Sequence, residues 1–342
     1  MKSNVIPDNV SGRFANLGLI CACLVVLIHS PRGTMIGSAQ WWWSALVQDG
    51  ICQMAVPFFF LASGFFLAGH MDEDGWWKCE SVKRIRTLLI PFLVWDALHL
   101  TCGFAIRLCS GTPPVTVRSW VRFLGTVFGG CLLPGVPVGA LWFIRSLMVL
   151  VLVAPILKRL ASPLGLCILF VLYGVLNPYP YEERNEMHEF FSLGYVSFCG
   201  MAWFTLGLWM RRTDALARFA DRLAGRWMWA LILGGGGGMI LRGIAARYGW
   251  NWFWQCYIGW VSIPLVMASA WMLIPCRKWT RAVVGCSFAL YVIHAFPLML
   301  LVSIGVTDAF AGAASALVFS FAIAFGLRLC GKRICGVLFG GR

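Results

Sequence analysis

The sequence predicts an all-α integral membrane protein, a bundle of about ten transmembrane helices. Three observations carry that prediction. Of 342 residues, 60% are hydrophobic and only 12% charged, against roughly 25% charged in a soluble domain. So few charges do not cover a water-soluble body of this size, and lipid must bathe most of the surface. The apolar residues fall into runs near the length of about 20 that a spanning helix needs. Arg and Lys gather between alternate runs.

The runs lie at about 14–30, 49–69, 85–106, 140–157, 164–177, 191–210, 227–245, 252–274, 283–304 and 309–329. The first, Phe14–Ile28, leads into His29-Ser30-Pro31-Arg32 rather than a small-residue cleavage site, so it reads as a retained helix and not a removed signal. Trp41-Trp42-Trp43 opens the second hairpin at the outer boundary, where aromatic belts sit. The fifth run, Leu164–Asn177, is the shortest. Gly234–Gly238 interrupts the seventh and removes side chains where a neighbouring helix or an acyl chain can approach. Between the third and fourth runs, Trp120–Phe128 is readable as an amphipathic helix at the interface.

The net charge of +14 raises nucleic acid as a partner, but topology accounts for the basic residues. With a cytoplasmic N-terminus, 20 of the 28 Lys and Arg fall on the cytoplasmic side, as the positive-inside rule requires. Glu182, Glu183, Glu186 and Glu189 then face outward. An even number of spans with both termini cytoplasmic follows, in one membrane domain over 1–342 with a short N-terminus 1–13 and a tail 330–342. The fourteen cysteines are scattered, with no C-x-x-C and no Cys/His cluster of zinc spacing. No metal site is expected. Cys109 and Cys131 share one outward segment and would be able to pair in an oxidising compartment.

Ionisable groups inside spans are costly in lipid and point to function. His29 ends the first span, near the outer face, and an imidazole of pKa about 6.5 suits a general base. An interfacial His contacting water is the alternative. Asp96 and His99 lie at i and i+3 inside the third span and share a helix face, either orienting an imidazole or lowering each other's burial cost. His294 lies mid-span in the ninth run and must face the bundle interior. Arg145 stands near the outer end of the fourth span, free to snorkel or to face the same interior. Lys83, Arg84 and Arg86 mark the cytoplasmic entry to the third span, as a topological anchor or a phosphate clamp.

Five segments, in order, resemble the acyltransferase 3 family of multipass membrane proteins. They are Cys23–Ser30 ending in His29-Ser30, Val56–Leu67 with its Ser63-Gly64-Phe65, Lys83–Phe92, Leu141–Leu147 and Ser287–His294. The resemblance implies ten helices and transfer of an acyl group, often acetyl, from a cytoplasmic acyl-CoA co-substrate, with no tightly bound cofactor. The implied acceptor is a hydroxyl of an envelope glycan or lipid-linked saccharide. His29 becomes the leading catalytic residue, as general base or acyl carrier. Lys83, Arg84 and Arg86 become candidates for holding the donor, and Asp96, Arg145 and His294 candidate cavity-lining or acceptor residues. One position departs: the resemblance implies an Arg eleven residues before His29, and Gly18 stands there. Another basic residue replaces it, the donor is handled differently, or activity is lost. The competing readings are a permease or exporter, and an inactive relative that binds a lipid-linked glycan.

Overall fold

The computed structural model describes residues 6–109, 141–176, 198–216, 218, 227–250, 252–277, 279–329 and 332–339. Helices and turns make up these residues, with no strand among them. In chain order the helices are α1 (Asp8–His29), α2 (Ala39–Trp43), α3 (Ala55–Ala68), α4 (Trp76–Arg84) and α5 (Ile90–Cys109). Then follow α6 (Trp142–Leu152), α7 (Ala154–Leu160), α8 (Pro163–Leu176), α9 (Phe198–Arg212), α10 (Trp227–Arg247) and α11 (Trp252–Leu273). Last come α12 (Arg281–Val284), α13 (Ser287–Ile293), α14 (Ala295–Ser303), α15 (Ala309–Leu329) and α16 (Lys332–Phe339).

Five helical stretches are long and apolar enough to cross a bilayer: Asp8–His29, Ala39–Ala68, Trp227–Arg247, Trp254–Leu273 and Ala309–Leu329. The fourth apolar run forms α6 and the start of α7, and the fifth forms α8; α7 and α8 are bent by 113° at their break and would add a sixth span if taken together. The bend has a local cause. Pro163 opens α8 and disfavours helical backbone at the residue before it, and the 14 residues of α8 reach only about 21 Å, short of a hydrocarbon core of about 30 Å. The third run divides at Pro91, which has no N–H for the Thr87 carbonyl, and a wider π turn, Ile85–Leu89, precedes α5. The ninth run breaks between α13 and α14, because Pro297 likewise leaves the Ile293 carbonyl without its donor. The start of the sixth run, Trp120–Phe128, Cys131 and the outward glutamates lie outside the described residues.

The glycine run of the seventh span packs helices. A Cβ on Gly235 would stand 2.6 Å from the Val266 nitrogen, and one on Gly238 would stand 2.1 Å from the Ser262 hydroxyl of α11. Gly236 and Gly237 face open space. α3 and α9 meet equally closely through Gly64 and Gly207, each against a carbonyl of the other helix. A single large cluster of buried side chains runs through α1, α3, α5, α6, α9 and α13. It is this core that brings the ends of α1 and α13 together.

Candidate functional site

His29 sits at the last position of α1 because the next two residues stop the helix. Ser30 precedes Pro31 and takes an extended backbone, ψ 162°, as a residue before proline prefers. The side chain of His29 is exposed. Its ring stacks on that of His294, centroids 5.2 Å apart and planes 26° from parallel.

His294 occupies the break between α13 and α14 and is only 1% exposed. Its Nδ1 donates to the Tyr291 carbonyl at 2.6 Å. A carbonyl accepts only, so Nδ1 carries a proton. Nε2 is buried and has no hydrogen-bond partner among the described residues. The second ring nitrogen of His294 is thus held buried behind the exposed His29. Tyr291, Phe59 and Phe143 form the wall beside this pair, with Phe143 and Tyr291 at 5.7 Å and Phe59 and Tyr291 at 6.4 Å. The Tyr291 hydroxyl hydrogen-bonds the backbone of Phe143, two residues before Arg145.

Asp96 and Arg145 are both 6% exposed, and the Arg145 charge acts on the Asp96 carboxyl. The i, i+3 partner of Asp96 goes elsewhere: the His99 ring stacks on Phe296 of α14 at 4.3 Å and 22°. His99 Nε2 is buried with no hydrogen-bond partner among the described residues. His99 and His29 both act electrostatically on His294. The structure therefore gathers His29, His294, His99, Asp96 and Arg145 from four separate stretches of chain into one neighbourhood.

Sequence reasoning passed over the residues that hold His29 in place. Gln48 is fully buried, and its Nε2 lies 2.9 Å from the Leu27 carbonyl, 2.9 Å from Ser30 Oγ, 3.1 Å from the Ser30 carbonyl and 3.2 Å from the Pro31 carbonyl. One amide thus takes up orphan carbonyls at the end of α1. A π turn over Ser44–Gln48 delivers it there, a distortion often found near functional sites. The next residue, Asp49, pairs with Arg32 at 2.7 Å and meets Arg247 at 4.0 Å. Arg242 bonds the Asp49 carbonyl and Arg247 the Gly33 carbonyl. The only sequence signal was a polar Gln-Asp pair within an apolar stretch.

Lys83, Arg84 and Arg86 lie apart from the histidines in sequence and environment. Lys83 and Arg84 reach the same buried carboxylate, Glu80, at 2.9 and 3.4 Å. Burial pushes the Glu80 carboxyl up. The hydrogen bond from Lys83 and the charges of Arg84, Lys83 and His70 outweigh it, holding Glu80 below the usual glutamate range. Arg86 is exposed on the π turn. Lys158 joins this end of the bundle through the Met71 carbonyl at 2.7 Å and Asp72 at 3.3 Å.

Gly18 faces an aromatic wall: a Cβ there would meet only Phe58, at 3.9 Å. Arg13 stands over Trp271 instead. The cation whose charge reaches His29 is Arg32. No group of three metal-ligating side chains occurs among the described residues.

Residues 19–329 match the family described as an acyltransferase domain, acyltransferase 3. The chain belongs to the acyltransferase 3 family. Among curated proteins it is similar to the succinoglycan biosynthesis protein ExoH of Rhizobium meliloti (strain 1021), 28% identical over 216 residues. The match covers 56% of this chain and 55% of that relative, so the chain spans about half the length of the curated protein it matches. No solved structure matches it. The matched family region contains all eight ionisable residues singled out from sequence, from His29 through His294.

Proposed function

We propose that the protein is a multipass enzyme of the inner membrane, both termini cytoplasmic, that moves an acyl group from cytoplasmic acyl-CoA to a hydroxyl of an envelope glycan. Acetyl is the expected group and about ten spans the expected topology. The observation that carries the reading is the exposed His29 stacked on buried His294, in a member of an acyltransferase family. The relative's name concerns succinoglycan biosynthesis, which supports a polysaccharide acceptor.

In this reading His29 takes the proton from the acceptor hydroxyl. The oxygen attacks the thioester carbonyl, the carbon–sulfur bond breaks, and the CoA thiolate recovers the proton from the imidazolium. Arg145 in this reading meets negative charge developing on the carbonyl oxygen. Lys83, Arg84 and Arg86 receive the CoA phosphates, with Glu80 holding two of them in one place until the phosphates compete for them.

The test is label transfer in membranes containing wild type or His29→Ala, supplied with radiolabelled acetyl-CoA. Wild type should label an envelope glycan fraction and His29→Ala should not, at equal protein levels. Undiminished labelling by His29→Ala removes that residue from the mechanism.

A further inference from the structure

A cavity lies between α1, α3, α9 and α11, with a volume of about 290 Å³. It is separate from the histidines. Phe59 of α3 faces Phe143 and Tyr291, whereas its neighbour Phe58 packs on Phe14 and lines this cavity. The lining includes Phe14, Leu17, Trp203, Met267 and Trp271, and no lining residue carries a charge or a hydroxyl. At roughly 30 Å³ each, about ten waters would fit by volume, but a buried water needs two to four polar partners. The natural filling is hydrocarbon. Pro264 lines the cavity and is exposed on α11, beside exposed Val261, so the space communicates with the bilayer.

Two guanidinium groups stand over its aromatic end. Arg13 lies 5.7 Å from the Trp271 ring and Arg211 lies 5.5 Å from the Phe65 ring. Both rings pack on Phe14 with centroids 4.8 Å away. The two cations thus flank one aromatic that lines the cavity. Arg212 follows Arg211 in the chain, and Arg277 lies just beyond Cys276, whose sulfur accepts from Arg13. An apolar slot with a guanidinium stacked on each of two neighbouring rings matches a molecule with a hydrocarbon chain and an anionic head, since a guanidinium fork complements phosphate.

We propose that this is a binding site for one anionic glycerophospholipid, one acyl chain in the cavity and its phosphate between Arg13 and Arg211. The site is independent of acyl transfer.

The test is native mass spectrometry of the detergent-purified protein, titrated separately with phosphatidylglycerol and zwitterionic phosphatidylethanolamine. Wild type should retain one phosphatidylglycerol under conditions that strip phosphatidylethanolamine. The Arg13→Gln/Arg211→Gln pair should lose that preference at least tenfold. Ala268→Phe, which projects a ring into the cavity from its lining, should lose the retained lipid with both arginines intact. Should Ala268→Phe fail to fold, the arginine variant still decides. Equal retention of the two lipids by wild type, or an unchanged preference in the arginine variant, means annular lipid only and overturns the proposal. Stoichiometric displacement of phosphatidylglycerol by acetyl-CoA would assign the cavity to the donor and overturn it as well.

Discussion

The ring of His29, at the end of the first helix, lies against the ring of His294, in the break of a helix near the other end of the chain, centroids 5.2 Å apart. His29 is exposed and His294 is buried with Nδ1 committed to the Tyr291 carbonyl. The pair therefore presents one imidazole at the surface and keeps a second behind it.

If His294 only supports the fold, an amide that reproduces its Nδ1–H donor should suffice. His294→Asn supplies such a donor and lacks Nε2. We expect His294→Asn and His294→Ala to lose acyl transfer alike, by about 10²-fold or more, the scale of general acid–base catalysis. Radiolabel transfer at matched expression measures this. Activity in His294→Asn near wild type would reduce His294 to a structural residue.

Gln48 touches no reacting group in this reading and acts through the loop that carries His29. Gln48→Ala strands carbonyls at the end of α1, and Gln48→Glu sets an acceptor against them. Each should destabilise by about 1–3 kcal/mol and lower kcat with little change in the KM for acetyl-CoA. A change in KM alone would contradict a positioning role. Kinetics in membrane vesicles and thermal unfolding in detergent separate the two effects.

Asp96 and Arg145 are both buried and the Arg145 charge acts on the Asp96 carboxyl, so removing either is expected to leave the other more costly. Asp96→Asn and Arg145→Gln should each destabilise, and the double variant should be less destabilised than the sum, with a coupling of about 0.5–3 kcal/mol. Thermal or denaturant unfolding of all four proteins gives the cycle. Full additivity would show that the two charges do not support one another.

Glu80 titrates below the usual glutamate range because Lys83 and Arg84 hold its charged form. A depressed folded value contributes stability above the unfolded value, about 4.3, and loses it as pH falls through the folded one. Wild type should therefore exceed Glu80→Gln in thermal stability at pH 7, and the difference should vanish in more acidic buffer. A difference that persists at low pH would assign the effect to packing.

The membrane class and the positions of most apolar helices were legible because lipid imposes a length and a composition on each span. His29, Asp96, Arg145 and His294 were legible for the same reason, since a polar group in an apolar run stands out. Gln48 was not. A glutamine hydrogen-bonded to three residues at a helix end looks, in sequence, like any polar residue near a loop. The partner of Asp96 was also misleading at the level of spacing: an i, i+3 relation put His99 on its face, but Arg145 on another helix supplied the charge and Phe296 took the imidazole.

By itself the sequence determined which segments prefer lipid, where prolines stop helices, and which ionisable groups must find shelter, because these follow from local composition and backbone sterics. It also carried the five ordered motifs of the acyltransferase 3 family. Only the tertiary structure decided that Gln48 takes up the carbonyls at the end of α1 and that the glycine run seats α11. It alone brought the histidine from the first helix onto the histidine near the last. Those relations depend on which helix faces meet, and helix packing is set by the fit of side chains distant in the chain, which no local pattern records.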